Sequence, residues 1–80
     1  MTEKERYEHD AAIYTERGKA LNLRQVVGQE YVRREITSDV LRESWRAIDG
    51  YAEELESRLV MTRKAYIEYL MFVHDWQESS

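Results

Sequence analysis

The chain contains no cysteine, no proline, one phenylalanine, two histidines and three glycines. Without cysteine it can hold neither a disulfide framework nor a thiolate metal centre. Without proline, nothing in its covalent geometry forces a helix to stop. Its glycines, Gly18, Gly28 and Gly50, stand too far apart to form a phosphate-cradling loop. Long apolar runs are also missing. The longest stretch of wholly apolar side chains is Leu70-Met71-Phe72-Val73, against the roughly 20 residues a membrane helix needs. The N-terminal Met1-Thr2-Glu3-Lys4-Glu5-Arg6 has mixed charge and no apolar segment behind it, unlike a signal peptide. The expectation is a cytoplasmic protein with no membrane partner.

What is present is charge and helix-forming side chains. The 80 residues are 35% charged and 42% hydrophobic, with a formal net charge of −4. That length allows one domain at most. A chain this short buries only about 60–65% of its unfolded surface, which leaves it marginal alone. Aromatics at 11% and ample apolar residues separate it from disordered tails. Ala, Leu, Glu, Arg, Lys and Gln dominate, and strict apolar–polar alternation is absent. The fold class read from this is all-α: a helical hairpin or bundle with a long helix in the C-terminal half, in an oligomer.

Thr2 and Glu5 have the capping-box spacing, so a first helix is expected over about 3–21, with Asn22 as its stop. Tyr7, Ala11, Tyr14, Gly18 and Leu21 form its apolar stripe, with Gly18 a point where another helix could come close. A short second helix is expected over about 24–35, with Leu23, Val26, Val27 and Tyr31 giving an apolar face. Thr37-Ser38-Asp39 then makes the clearest break, three good capping residues before a periodic run.

From Leu41 the steps alternate four and three through Trp45, Ile48, Ala52, Leu55, Leu59, Thr62, Tyr66, Tyr69, Val73 and Trp76. This heptad-type seam favours one long helix over about 38–77, straight or kinked. The alternatives are a turn at Asp49-Gly50 or a fresh cap at Thr62. Within Tyr66–Trp76, 8 of 11 residues are apolar, too many for a single stripe, so this segment should be covered on more than one side. A second copy supplies that cover most simply, making a homodimer the expected assembly, and a groove on a larger protein would serve equally. The expected interface comprises Leu41, Trp45, Ile48, Leu55, Leu59, Tyr66, Tyr69, Leu70, Phe72, Val73 and Trp76.

Charge is uneven. Residues 1–36 carry seven acidic and seven basic side chains, residues 37–80 nine acidic and five basic. An acidic, apolar C-terminal end suits a protein partner with a basic rim better than a phosphate backbone. A helix-turn-helix reading of Leu23–Ile48 would offer Arg33, Arg34, Arg42 and Arg46 to nucleic acid, but Asp39 and Glu43 interleave with them and repel phosphate. Catalytic constellations are incomplete. His9 and His74 each precede an aspartate, yet further histidine ligands for an HD-type metal site do not exist, and Glu-x-x-His spacing fails at both. His9 lies off the apolar stripe and reads as solvated, while His74 adjoins the seam and reads as a packing residue. Serine-nucleophile patterns do not occur. No enzyme activity and no cofactor are expected.

The run Glu16-Arg17-Gly18-Lys19-Ala20-Leu21, then Val26, then Val40-Leu41 with the seam behind it, resembles the C-terminal helical region of bacteriophage terminase small subunits. The resemblance spans Ala11–Leu59. Ten residues precede it, where that family places a winged-helix DNA-binding domain. It therefore implies a module for oligomerisation or for docking to the large subunit, of phage or prophage origin and tied to DNA packaging. It brings no catalytic residue, because the family's ATPase and nuclease reside in the other subunit. The expected function is a non-enzymatic assembly module. The alternatives are a small acidic phage-type regulator that binds a host protein and a DNA-binding regulator.

Overall fold

Thr2 begins the first helix as its spacing requires. In a computed structural model that describes the backbone of residues 1–79 and the side chains of residues 1–75, its hydroxyl accepts from the Glu5 amide at 3.1 Å, and its own amide donates to the Glu5 carboxylate at 3.3 Å. This reciprocal box opens α1, Glu3–Val32. The helix runs straight through Asn22, so the two helices expected over 3–21 and 24–35 are one. Asn costs only a few tenths of a kcal/mol in a helix interior, and the residues beyond it are held by packing against the next helix.

α1 ends in a Schellman motif. The Arg34 amide donates to the Tyr31 carbonyl and the Glu35 amide to the Glu30 carbonyl, both at 2.9 Å. Arg34 has φ 62°, the left-handed setting usually given to glycine. This reverses the chain into α2, Ser38–Ser57, whose N-cap Thr37 accepts from the Val40 amide at 3.3 Å.

The long helix expected over 38–77 is two helices. α2 stops at Ser57 and α3, Arg63–Ser79, follows after a short connection. No local residue breaks the helix. The cause lies fifty residues upstream: the Asp10 carboxylate accepts the Val60 amide at 3.0 Å and the Met61 amide at 2.8 Å. A continuous helix would have tied both amides to carbonyls four residues back. Thr62 then accepts from the Ala65 amide at 3.1 Å and starts α3, which is the fresh cap among the two alternatives. Asp49 and Gly50 lie inside α2.

The described residues are helical with no strand. α1 is the spine. Both α2 and α3 pack on it, and among the described residues they do not pack on each other. Among the described residues the buried side chains are few: Ile13 and Ala20 from α1, Ile48 and Leu55 from α2, and the carboxylate of Asp10, which alone is fully enclosed. The shape follows from this thin core. The molecule measures 50 × 26 × 16 Å with a radius of gyration of 16.8 Å, against about 12 Å for a compact domain of this length.

Candidate interaction surface

Of the expected α1 stripe, Tyr7, Ala11, Tyr14 and Gly18 are half-buried, and Tyr7 and Tyr14 stack on α3; α1 turns a second stripe inward beside it. Asp10, Ile13, Arg17, Ala20 and Arg24, at steps of three and four, face the other helices, while Leu21 is exposed. Gly18 brings no helix close, since a Cβ there would meet nothing within 4 Å. Gly28 is the glycine a neighbour approaches, with Trp45 Cζ2 at 3.4 Å from that position.

Polar side chains on this stripe are matched to α2. Arg24 Nε donates to Asp49 at 3.0 Å, its guanidinium lies 4.1 Å from the Trp45 ring centroid, and its carbonyl accepts the indole N–H at 3.0 Å. Arg17 Nε lies 2.6 Å from Glu56 Oε1 as an ion pair whose angle is not that of a hydrogen bond. The α2 part of the expected interface is thus satisfied within the chain. Ile48 and Leu55 are buried, and Leu41, Trp45 and Leu59 are half-buried.

Asp10 is the residue that apolar periodicity overlooked. It is fully buried at 0% exposure, and it also takes a hydrogen bond from His9 Nδ1 at 2.9 Å. Burial pushes its pKa up, but the amides of Val60 and Met61 together with His9 outweigh that and hold it below 3.8. A signal was present in the sequence: Tyr7, Asp10 and Tyr14 share one face at steps of three and four. Beside Asp10 the aromatic rings close over one another. Tyr66 lies 5.0 Å from Tyr7 and 4.6 Å from Tyr14, centroid to centroid, and Tyr69 lies 4.9 Å from Tyr7. Burial, then the neighbouring Tyr7 and Tyr14 and the Asp10 charge, raise the Tyr66 phenol above 10.0.

α3 therefore has two apolar faces with different fates. Tyr66, Tyr69 and Val73 are half-buried, and Tyr66 and Tyr69 stack on α1. Ile67, Leu70 and Met71, at steps of three and one, form a row on the other side that stays exposed, Met71 at 60%. Phe72, at 62% exposure, touches only the Tyr69 ring among the described aromatics. Of the expected interface, Leu70 and Phe72 remain open, and the Trp76 side chain lies outside the described residues.

A second apolar feature lies between α1 and α2, where Glu16, Lys19, Ala20 and Leu23 face Ala47, Ile48 and Tyr51 across a groove of 350 Å³. The four arginines proposed for nucleic acid do not converge. Arg42 and Arg46 line a hollow with Asp49 and Glu53, Arg33 lines another near Gln25 and Val32, and Arg34 forms the helix-ending turn. Asp39 stands 3.9 Å from Arg42. His9 is partly exposed and tied to Asp10. Among the described residues no group of His, Asp and Glu is arranged to hold a metal ion, and no helix is long and apolar enough to cross a membrane.

No family model, no curated protein and no solved structure matches the chain.

Proposed function

We propose that the chain is a non-enzymatic helical assembly module that associates with copies of itself through the outer face of α3. The observation that carries this is surface area. The molecule exposes 6370 Å², whereas a compact protein of its 9.6 kDa mass exposes about 5,100 Å² by the usual surface–mass relation. The excess is on the order of 1,300 Å², and the exposed row of Ile67, Leu70 and Met71, with Phe72 beside it, contributes to it. A stable interface takes about 800 Å² from each partner, so association with another copy offsets the shortage of core. The resemblance to terminase small-subunit helices supports the same reading and adds a phage packaging context. A second reading, an acidic regulator that presents α3 to another protein, is favoured by Glu68 and Asp75, which are exposed on the same helix.

Sedimentation equilibrium across micromolar concentrations tests the first reading. The wild-type chain is expected to run heavier than 9.6 kDa, and Met71→Glu is expected to shift it toward the monomer. A folded monomer at every concentration would reject self-assembly and leave the second reading.

A further inference from the structure

We propose that the Ile67–Leu70–Met71 row of one copy seats in the α1–α2 groove of another, so that the contact joins two different surfaces of the chain. This rests on the self-association reading and adds its geometry.

The groove and the row are complementary in kind. The groove is concave and apolar, with Leu23 54% exposed on one wall and Tyr51 exposed on the other. At 350 Å³ it falls within the roughly 300–1,000 Å³ range of clefts that take organic ligands. Val40, on α2, is exposed as well and lies on the same side of that helix as Ala47 and Tyr51 by helical spacing. The row is convex: three branched or flexible side chains at i, i+3 and i+4, the pattern by which an amphipathic helix fills a groove.

A chain cannot fill its own groove. Tyr7 and Tyr14, which seat α3, lie to one side of the inward stripe of α1, and Lys19 and Leu23 lie to the other by helical spacing. Asp10 ties the connection before α3 to the first side. The groove is thus left to another molecule, and the matching apolar row that every copy carries makes a second copy the proposed occupant. One such contact takes about 800 Å² from each chain, which the excess of about 1,300 Å² covers; a chain that uses both its row and its groove buries about 1,600 Å² and so draws on further surface. A contact between unlike patches closes into a ring or continues as a filament, whereas like patches stop at a two-fold dimer.

Two variants separate these possibilities. Ile67→Glu damages the row, and Leu23→Glu damages the groove. Both positions are exposed on helices, and glutamate is a good helix former. Each variant alone is expected to associate at least roughly tenfold more weakly than wild type. An equimolar mixture is expected to recover a one-to-one heterodimer, because the groove variant keeps an intact row and the row variant an intact groove. Recovery also shows that both chains are folded. The chain has no cysteine, so mixing Tyr51→Cys with Met71→Cys under mild oxidation gives an independent readout, with the mixed disulfide expected over either homodisulfide. If Leu23→Glu associates as tightly as wild type, or the mixture recovers nothing while circular dichroism shows both chains folded, the geometry is wrong although self-association stands. A monomeric wild type overturns both.

Discussion

A buried carboxylate that accepts two backbone amides and a histidine N–H is stabilising only while it is ionised. The Asp10 pKa lies below 3.8 in the folded chain, so as pH falls the unfolded chain takes up its proton first. The contribution is complete above the ordinary carboxylate range and is lost as pH drops below 3.8 toward the folded value. Tyr66 acts at the other end. Its phenol titrates above 10.0 when folded, so the unfolded chain loses its proton first and stability falls as pH rises beyond 10. Urea midpoints across pH should give a plateau that declines at both ends. Asp10→Asn should flatten the acid side and cost about 2–3 kcal/mol at neutral pH, since it turns one acceptor into a donor facing an amide. Arg34 offers the opposite gain. A side chain in the left-handed region costs about 1–2 kcal/mol, so Arg34→Gly should stabilise the chain by about 1 kcal/mol, read as a raised urea midpoint with an unchanged slope.

Between elements, the α1–α2 contact depends on paired polar groups as much as on apolar ones. Arg24→Ala removes the bond to Asp49 and the cation over Trp45. Both are partly exposed, so the expected cost is only about 1 kcal/mol, accompanied by a change in Trp45 fluorescence. The same contact explains which parts of the architecture could be read in advance. Caps at Thr2 and Thr37 depend on residues within three positions, and they stand where local spacing puts them. The heptad seam on α2 does face a helix. The break before Thr62 stayed hidden because its cause, Asp10, is distant in sequence and polar. Sequence pattern finds the Tyr7–Tyr14 stripe that seats α3 but not the second inward stripe of α1, for a related reason. Periodicity counts apolar residues, whereas Asp10, Arg17 and Arg24 reach inward to carboxylates, amides and an indole. Of the surface now proposed for assembly, the excess of apolar residues in α3 was legible in the sequence. The division of that excess into a seated face and an open one was not, because it depends on where Tyr7 and Tyr14 lie.

At the scale of the whole molecule, charge and apolar surface oppose each other. Each copy carries a net charge of −4, which opposes the proposed seating of one copy's row in another's groove. Raising the salt concentration screens the repulsion and leaves the apolar contact. Self-association should therefore tighten between low and moderate ionic strength, as seen in sedimentation profiles, whereas binding to a phosphate backbone would weaken.

Among the described residues α2 and α3 meet only through α1, and an order of folding events is expected from this. α1 and α2 are neighbours in sequence and close on each other as a hairpin, an arrangement of short loops that folds fast. α3 docks by a few rings and the Asp10 clasp, so it is the unit that detaches at least cost. Hydrogen exchange should show α3 amides opening while those around Ile13, Ala20 and Ile48 stay protected. The helix proposed to carry the assembly surface is thus expected to dock last and detach first, and a copy with α3 undocked would hold its apolar segment loose beside an already closed α1–α2 hairpin.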